Sequence, residues 1–206
     1  MTSKRTPKAN GGASDAARAE WLRRVEAEYR SAAITQHLGL WLIQIGAPPE
    51  LIADAGRIVG DEMMHSELSH ETFVAAGGSG TPNLPRESLG LPRSRAPLEH
   101  DVLRVGVEVF CLGETVAVRL FKRLRAKCTA PEARRALDRI LRDEVRHRDF
   151  GWTLLEWMLA TPAEKEYRAL LEKELPGMLA RVRRNYGLAV GEAPRDAPDV
   201  PEADRA

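Results

Sequence analysis

The sequence predicts an all-α protein: a four-helix bundle with one long crossover between helices 2 and 3, plus a fifth C-terminal helix. Apolar residues recur at helical spacing through the middle of the chain, and no run alternates as a half-buried strand does. Aromatic residues make up only 5%, fewer than strand-rich chains carry. Short turn signals separate the helices everywhere except in one Gly- and Pro-rich stretch, residues 77–97.

Helix 1 is expected from Asp15 to Ile45, with Trp21, Val25, Ala32, Gly39 and Leu42 on one stripe. The turn Gly46-Ala-Pro-Pro49 stops it and opens helix 2, because proline fits a first helical turn. Helix 2 runs to Ala76. Helix 3 spans Leu98 to Lys127. A break at Thr129-Ala130 and a first-turn Pro131 start helix 4, which reaches Ala160. Thr161-Pro-Ala-Glu164 reads as a capping box with proline at the first helical position. It opens helix 5, which extends to Gly187 with a kink or stop at Pro176-Gly177. Helices of nearly 30 residues are about 45 Å long. A crossover of about twenty extended residues spans about 60 Å, enough to run the length of such a bundle. One long crossover is the connectivity of ferritin-like bundles, whereas short loops throughout give up-down-up-down order.

The length of 206 residues suits one domain, 14–189, between tails 1–13 and 190–206 that are polar and expected to be disordered. A hydrophobic fraction of 43% supports a sizeable core. Basic and acidic residues number 31 and 30, so neither a nucleic-acid partner nor a membrane surface is expected. No apolar run is long enough to span a bilayer, and residues 1–15 lack the apolar core of a secretory signal. Cys111 and Cys128 cannot build a disulfide scaffold. A cytoplasmic location is expected.

The chemistry lies in a repeated pattern. Helix 2 contains Asp61-Glu62-Met-Met-His65 and helix 4 contains Asp143-Glu144-Val-Arg-His147. Each places a carboxylate and an imidazole three residues apart on one helix face. Both pairs sit on apolar stripes, where a charge is costly unless paired or metal-bound. Helices 1 and 3 each add one carboxylate to such a stripe, Glu28 and Glu114. Glu28 precedes Glu62 by 34 residues and Glu114 precedes Glu144 by 30. The midpoints fall at the two expected turns, so each lone Glu is level with its Glu-x-x-His partner. One Glu from each of two helices and Glu-x-x-His from each of two others is the ligand set of di-iron and di-manganese carboxylate bundles. Four carboxylates balance two divalent ions. Rival positions are less apolar: a third copy, Glu67-Leu-Ser-His70, starts about 140° around helix 2, Glu108 neighbours Arg104, and Glu26 lies among arginines. His37 points away from Glu28 and reads as a surface histidine, and His100 as structural. Tyr29 adjoins a ligand candidate.

These residues resemble the ferritin-like di-iron carboxylate superfamily over roughly residues 20–160. The stretches GAPPELIADAGRIVGDEMMHSEL and CLGETVAVRL…RDEVRH, with Glu28-Tyr-Arg-Ser31, resemble a group of bacterial ferritin-like domain proteins. The resemblance implies that Glu28, Glu62, His65, Glu114, Glu144 and His147 are metal ligands. Asp143-Glu-Val-Arg146-His147 is also similar to bacterial multicomponent mono-oxygenase hydroxylases, where the Asp and Arg orient the histidines; the first repeat has Met64 in place of the Arg. A C-terminal Cys-x-x-Cys pair, as in rubrerythrins, is absent.

The expected function is a non-haem dinuclear iron oxidoreductase that activates O2 or peroxide to oxidise a small substrate, with manganese or a mixed Fe/Mn pair as alternatives. A second reading makes Fe(II) the substrate of a ferroxidase or iron-storage protein. A third is a helical interaction module without catalysis. An electron donor is required by the first reading, and a homodimer fits the long helices.

Overall fold

Proline and glycine mark the helix ends where the sequence places them. In a computed structural model, which describes residues 13–187, the helices are α1 (Asp15–Gln44), α2 (Pro49–Ala75), α3 (Leu98–Val105), α4 (Glu114–Lys127), α5 (Pro131–Leu159) and α6 (Glu164–Asn185). No strand occurs among the described residues. The expected tails lie outside them, Ala13 excepted. Ser14 caps α1, its Oγ accepting the Ala17 N–H at 3.2 Å. α1 and α2 end alike. Gly46 (φ +70°) and Gly77 (φ +84°) take the left-handed conformation. The next residues, Ala47 and Gly78, bond back to the Leu42 and Phe73 carbonyls at 2.9 Å. This closure satisfies the last carbonyls of a helix and needs glycine at its pivot.

α1 and α2 form an antiparallel hairpin. Gly39 lies against Ala55, while Ser66 bonds the Val25 carbonyl at the far end. α4 and α5 pair in the same sense, from Arg125–Asp138 near their turn to Cys111–Gly151 further along. α2 packs on α5, and α3 on α1.

The connection between α2 and α3 climbs along α1. A Cβ on Gly80 would meet Leu22. The Asn83 N–H donates to Glu26 at 2.7 Å, and the Leu91 N–H to His37 Nδ1 at 2.9 Å. Arg93 then lies over Trp41, 5.8 Å from its ring centroid, and pairs with Asp101 at the start of α3. These contacts advance from residue 22 to residue 41 of α1, about 28 Å of helix. Part of the segment is a single 3-10 turn, Arg86–Ser88. Glu26, expected in a solvated setting, and His37, expected at the surface or an interface, both supply acceptors for this backbone.

The expected single helix 3 is continuous but not uniform. Between α3 and α4, Gly106–Gly113 forms a π-helical segment. Its extra residue per turn widens the helix beside α5. Gly151 of α5 meets it backbone to backbone: a Cβ there would lie 2.5 Å from Phe110 Cβ and 2.7 Å from Cys111 N. The Thr115 hydroxyl donates to the Cys111 carbonyl at 2.6 Å.

Two expectations for α6 are corrected. The helix begins at Glu164, not Pro162, and has no side-chain cap. Thr161 serves the end of α5 instead, its hydroxyl donating to the Met158 carbonyl at 2.8 Å. α6 also runs through Pro176 to Asn185. Met178 and Val182 are buried beyond the proline, and Arg104–Glu174 and Arg181–Glu108 pairs hold α6 on either side of it.

Apolar side chains collect in two clusters. The larger holds Leu38, Leu42, Leu51, Ile58, Phe110, Leu154 and Met178; the smaller holds Ala117, Phe121, Leu137 and Ile140. Along α5, Ile140 belongs to one and Phe150 to the other, and buried Asp143, Glu144 and His147 lie between. With Glu28, Glu62, His65 and Glu114 on the other helices they form a buried polar layer inside the core.

Candidate metal centre

A helix brings residues i and i+3 to one face. The structure uses that spacing twice, with Glu62 and His65 on α2 and Glu144 and His147 on α5. Hairpin pairing then sets Glu28 opposite Glu62 and Glu114 opposite Glu144. All six sequence-predicted residues are buried: both histidines are fully so, and Glu114, the most accessible, is 8% exposed.

One ligand atom from each of Glu28, Glu62, His65 and Glu144 lies within 4.8 Å of the others. His65 Nδ1 is 3.6 Å from both Glu62 and Glu144. His147 Nδ1 is 3.3 Å from the same two residues. Glu62 and Glu144 therefore stand in the middle, each facing both imidazoles. Glu28 lies close to Glu62, and Glu114 to Glu144. The set has an approximate twofold pattern, one half from each hairpin.

The opposite nitrogen of each ring is held crosswise. His65 Nε2 of α2 lies 3.3 Å from Asp143 of α5, and His147 Nε2 of α5 lies 3.3 Å from Asp61 of α2. The repeated Asp residues thus orient histidines on the neighbouring helix. Arg146 reaches both, at 2.8 Å from Asp61 and 2.9 Å from Asp143, and Arg139 also pairs with Asp143. Arg139 also lies 3.7 Å from Asp61, so two arginines of α5 serve both halves, and Met64, where the first repeat lacks an arginine, is exposed.

Burial lifts the Glu28 and Glu114 carboxyls well above the usual carboxylate range; the charges of Glu62 and Glu144 add to it. Burial also opposes a charge on Glu62, but the close imidazoles of His147 and His65 outweigh it and hold that carboxyl down to about 2. Burial disfavours charged imidazoles as well. The close carboxylates of Glu144 and Glu62 still push His147 up to about 11, and Glu62 raises His65. Without metal, Glu28 and Glu114 therefore keep their protons to higher pH than ordinary carboxyls, and His65 and His147 to higher pH than ordinary imidazoles.

Do these residues fit a metal? Glu62 Oε2, Glu144 Oε2, His65 Nδ1 and His147 Nδ1 are buried and have no hydrogen-bond partner among the described residues. Orphaned buried polar atoms are rare and costly. These four point at one another, which is how donors face a shared ion. The donors are carboxylate oxygen and imidazole nitrogen, a set that accepts several divalent first-row metals. The fit is good. The chemistry of the nearest thiol differs, since burial pushes Cys111 up to about 12 and keeps it protonated.

The rivals separate cleanly. Glu67 and His70 are exposed. Glu108 pairs with Arg181, and Glu26 with the crossover backbone. Tyr29 is 37% exposed and outside the layer. His100 pairs with Glu166 at 2.6 Å and ties α3 to α6. Sequence reasoning missed two neighbours. Tyr186, at the end of α6, donates to the Gly113 carbonyl at 3.2 Å, and Glu114 beside it helps raise its phenol above the ordinary range. Arg24 is buried one helical turn before Glu28. A tyrosine at the tail and an arginine in an Arg-rich turn gave no periodic signal. No protein-family model, curated protein or solved structure matches the chain.

Proposed function

We propose that the chain is a ferritin-like four-helix bundle carrying a non-haem dinuclear metal centre, and that it is an oxidoreductase. The observation that carries the reading is the pair of buried imidazoles whose unpartnered Nδ1 atoms face Glu62 and Glu144 inside an apolar core. The two antiparallel hairpins and a crossover lying along α1 support the bundle topology.

Glu28, Glu62, His65, Glu114, Glu144 and His147 would hold the two ions. Iron or manganese bound there would supply electrons for reduction of O2 or peroxide. The protein's part is to prepare the site. Asp143 and Asp61 accept the Nε2–H of each histidine and so fix the tautomer that leaves Nδ1 free as a donor. Arg146 and Arg139 hold those aspartates in place. Glu28 and Glu114, whose burial favours the protonated form, would have to release protons to serve as ligands. The apolar clusters on both sides exclude water.

The test is reaction of the anaerobic Fe(II)-loaded protein with O2, followed optically. The reading expects oxidation of about two Fe(II) per chain, the occupancy of a dinuclear site, without further iron uptake. Iron retained far beyond that number would make it cargo and favour a ferroxidase or storage role. No oxidation and no metal uptake would leave a helical interaction module.

A further inference from the structure

Arg24 is 5% exposed. A guanidinium has five donors and keeps its charge at any ordinary pH, so burying one without acceptors is costly. Its single ionic neighbour is Glu20, at 3.3 Å. That carboxylate is already engaged by Arg23, whose Nε and Nη2 donate to its two oxygens at 2.9 and 2.8 Å. Among the described residues no group accepts a hydrogen bond from Arg24. Its guanidinium instead lies against two aromatic rings, 4.6 Å from the Phe121 centroid and 5.6 Å from that of Trp21. Stacked aromatics leave the in-plane donors of the fork free, the arrangement that receives a carboxylate edge-on.

The position is equally specific. Arg24 and Glu28 lie one turn apart on the buried face of α1, about 6 Å along its axis. On α4, Glu114, Ala117 and Phe121 follow one another on the facing stripe, all buried. Small Ala117 therefore separates the metal layer from the arginine, in the apolar setting of Leu137 and Ile140.

We propose that Arg24 anchors the carboxylate of a small organic acid whose apolar body lies over Ala117 and Phe121 and whose far end points to Glu28 and Glu114. This names a substrate class for the dinuclear site, and rests on that reading only for what happens to the acid once bound. Glu20 is the competitor the acid must displace.

The experiment titrates benzoate and its neutral isostere benzamide into the full chain, metal-free and Mn(II)-loaded. Melting temperature and tryptophan fluorescence are followed, and Mn(II) uptake is measured in parallel. Saturable benzoate binding is expected, with benzamide at least tenfold weaker. Arg24→Gln is expected to lose benzoate at least tenfold while still taking up Mn(II). Arg24→Lys, which keeps the charge but not the fork, should lose several-fold. Ala117→Leu should weaken benzoate with Arg24 intact, which covers the case of a poorly folded Arg24→Gln. Benzoate binding unchanged in Arg24→Gln would mean a carboxylate on the metal and overturn the proposal. Equal binding of benzamide, or none of either ligand at tens of millimolar, would do the same. Arg24-dependent benzoate binding in a chain that takes up no Mn(II) would uphold the anion site and sink the metal reading.

Discussion

Burial above all lifts the carboxyls of Glu28 and Glu114 well above the usual carboxylate range, and each faces a second glutamate. A group of this kind weakens the fold that carries it unless an ion compensates. Glu28→Gln and Glu114→Gln are therefore expected to raise the melting temperature of the metal-free protein by a few degrees, corresponding to about 1 kcal/mol, and to abolish most stabilisation by added Mn(II) or Fe(II). Opposite signs in thermal melts with and without metal would mark a ligand rather than a packing residue. The crosswise histidine contacts make a second prediction. Asp143→Asn should act on His65 of the other hairpin and lower metal affinity about 10–100-fold, measured by competition with a chelator. These six buried positions were legible because each sits at helical spacing on an apolar stripe. The crosswise pairing was not, because it depends on how α2 packs against α5. Arg24 was not legible either: burial of an arginine among arginines has no periodic signature.

The helices themselves were nearly all legible, since proline and glycine set their ends. The exceptions arise where tertiary contacts override local signals. The π-helical segment answers to the close approach of α5, and Thr161 is used by the helix before it rather than the one after. Gly151 is the clearest point of contact between these levels. Gly151→Ala would drive a Cβ into the backbone of Cys111, which cannot yield as a flexible side chain does. It should cost about 1–3 kcal/mol, the usual range for overpacking, and displace the turn that precedes Glu114. Urea unfolding reads the first effect and Mn(II) affinity the second. A Gly151→Ala protein of unchanged stability would show that the two helices lie farther apart. The crossover offers a contrasting case. His37 accepts a single backbone N–H from it, so His37→Ala should cost about 1 kcal/mol and leave metal uptake intact.

At the scale of the whole molecule, a polar layer divides the apolar core, and no helix among the described residues is long and apolar enough to cross a membrane. The layer sets the pH response. Glu28 and Glu114 have raised folded pKa values, so they destabilise the metal-free fold as pH rises above the ordinary carboxylate value of about 4.3. The raised histidines contribute stability below about 6.5, and for His147 it is lost as pH climbs toward about 11. Glu62 contributes above the ordinary value, and that is lost as pH falls toward about 2. The metal-free protein should therefore be most stable in mild acid. Metal ions and protons compete for the same atoms, so stabilisation by a fixed Mn(II) concentration should grow with pH up to neutrality. Melting curves at several pH values check both trends. The all-helical class and the long connection were legible from composition and punctuation. The path of that connection along α1 depends on single acceptors, Glu26 and His37, that look like ordinary surface residues.

Metal content per chain is the most direct measurement. Protein expressed with iron available would be analysed for its elements, beside a Glu62→Ala/Glu144→Ala double variant whose fold is checked by circular dichroism. The account predicts about two metal ions per wild-type chain, the number a dinuclear carboxylate site holds, and almost none in the folded variant. A wild-type chain with no metal, unstabilised by added Fe(II) or Mn(II), would contradict it.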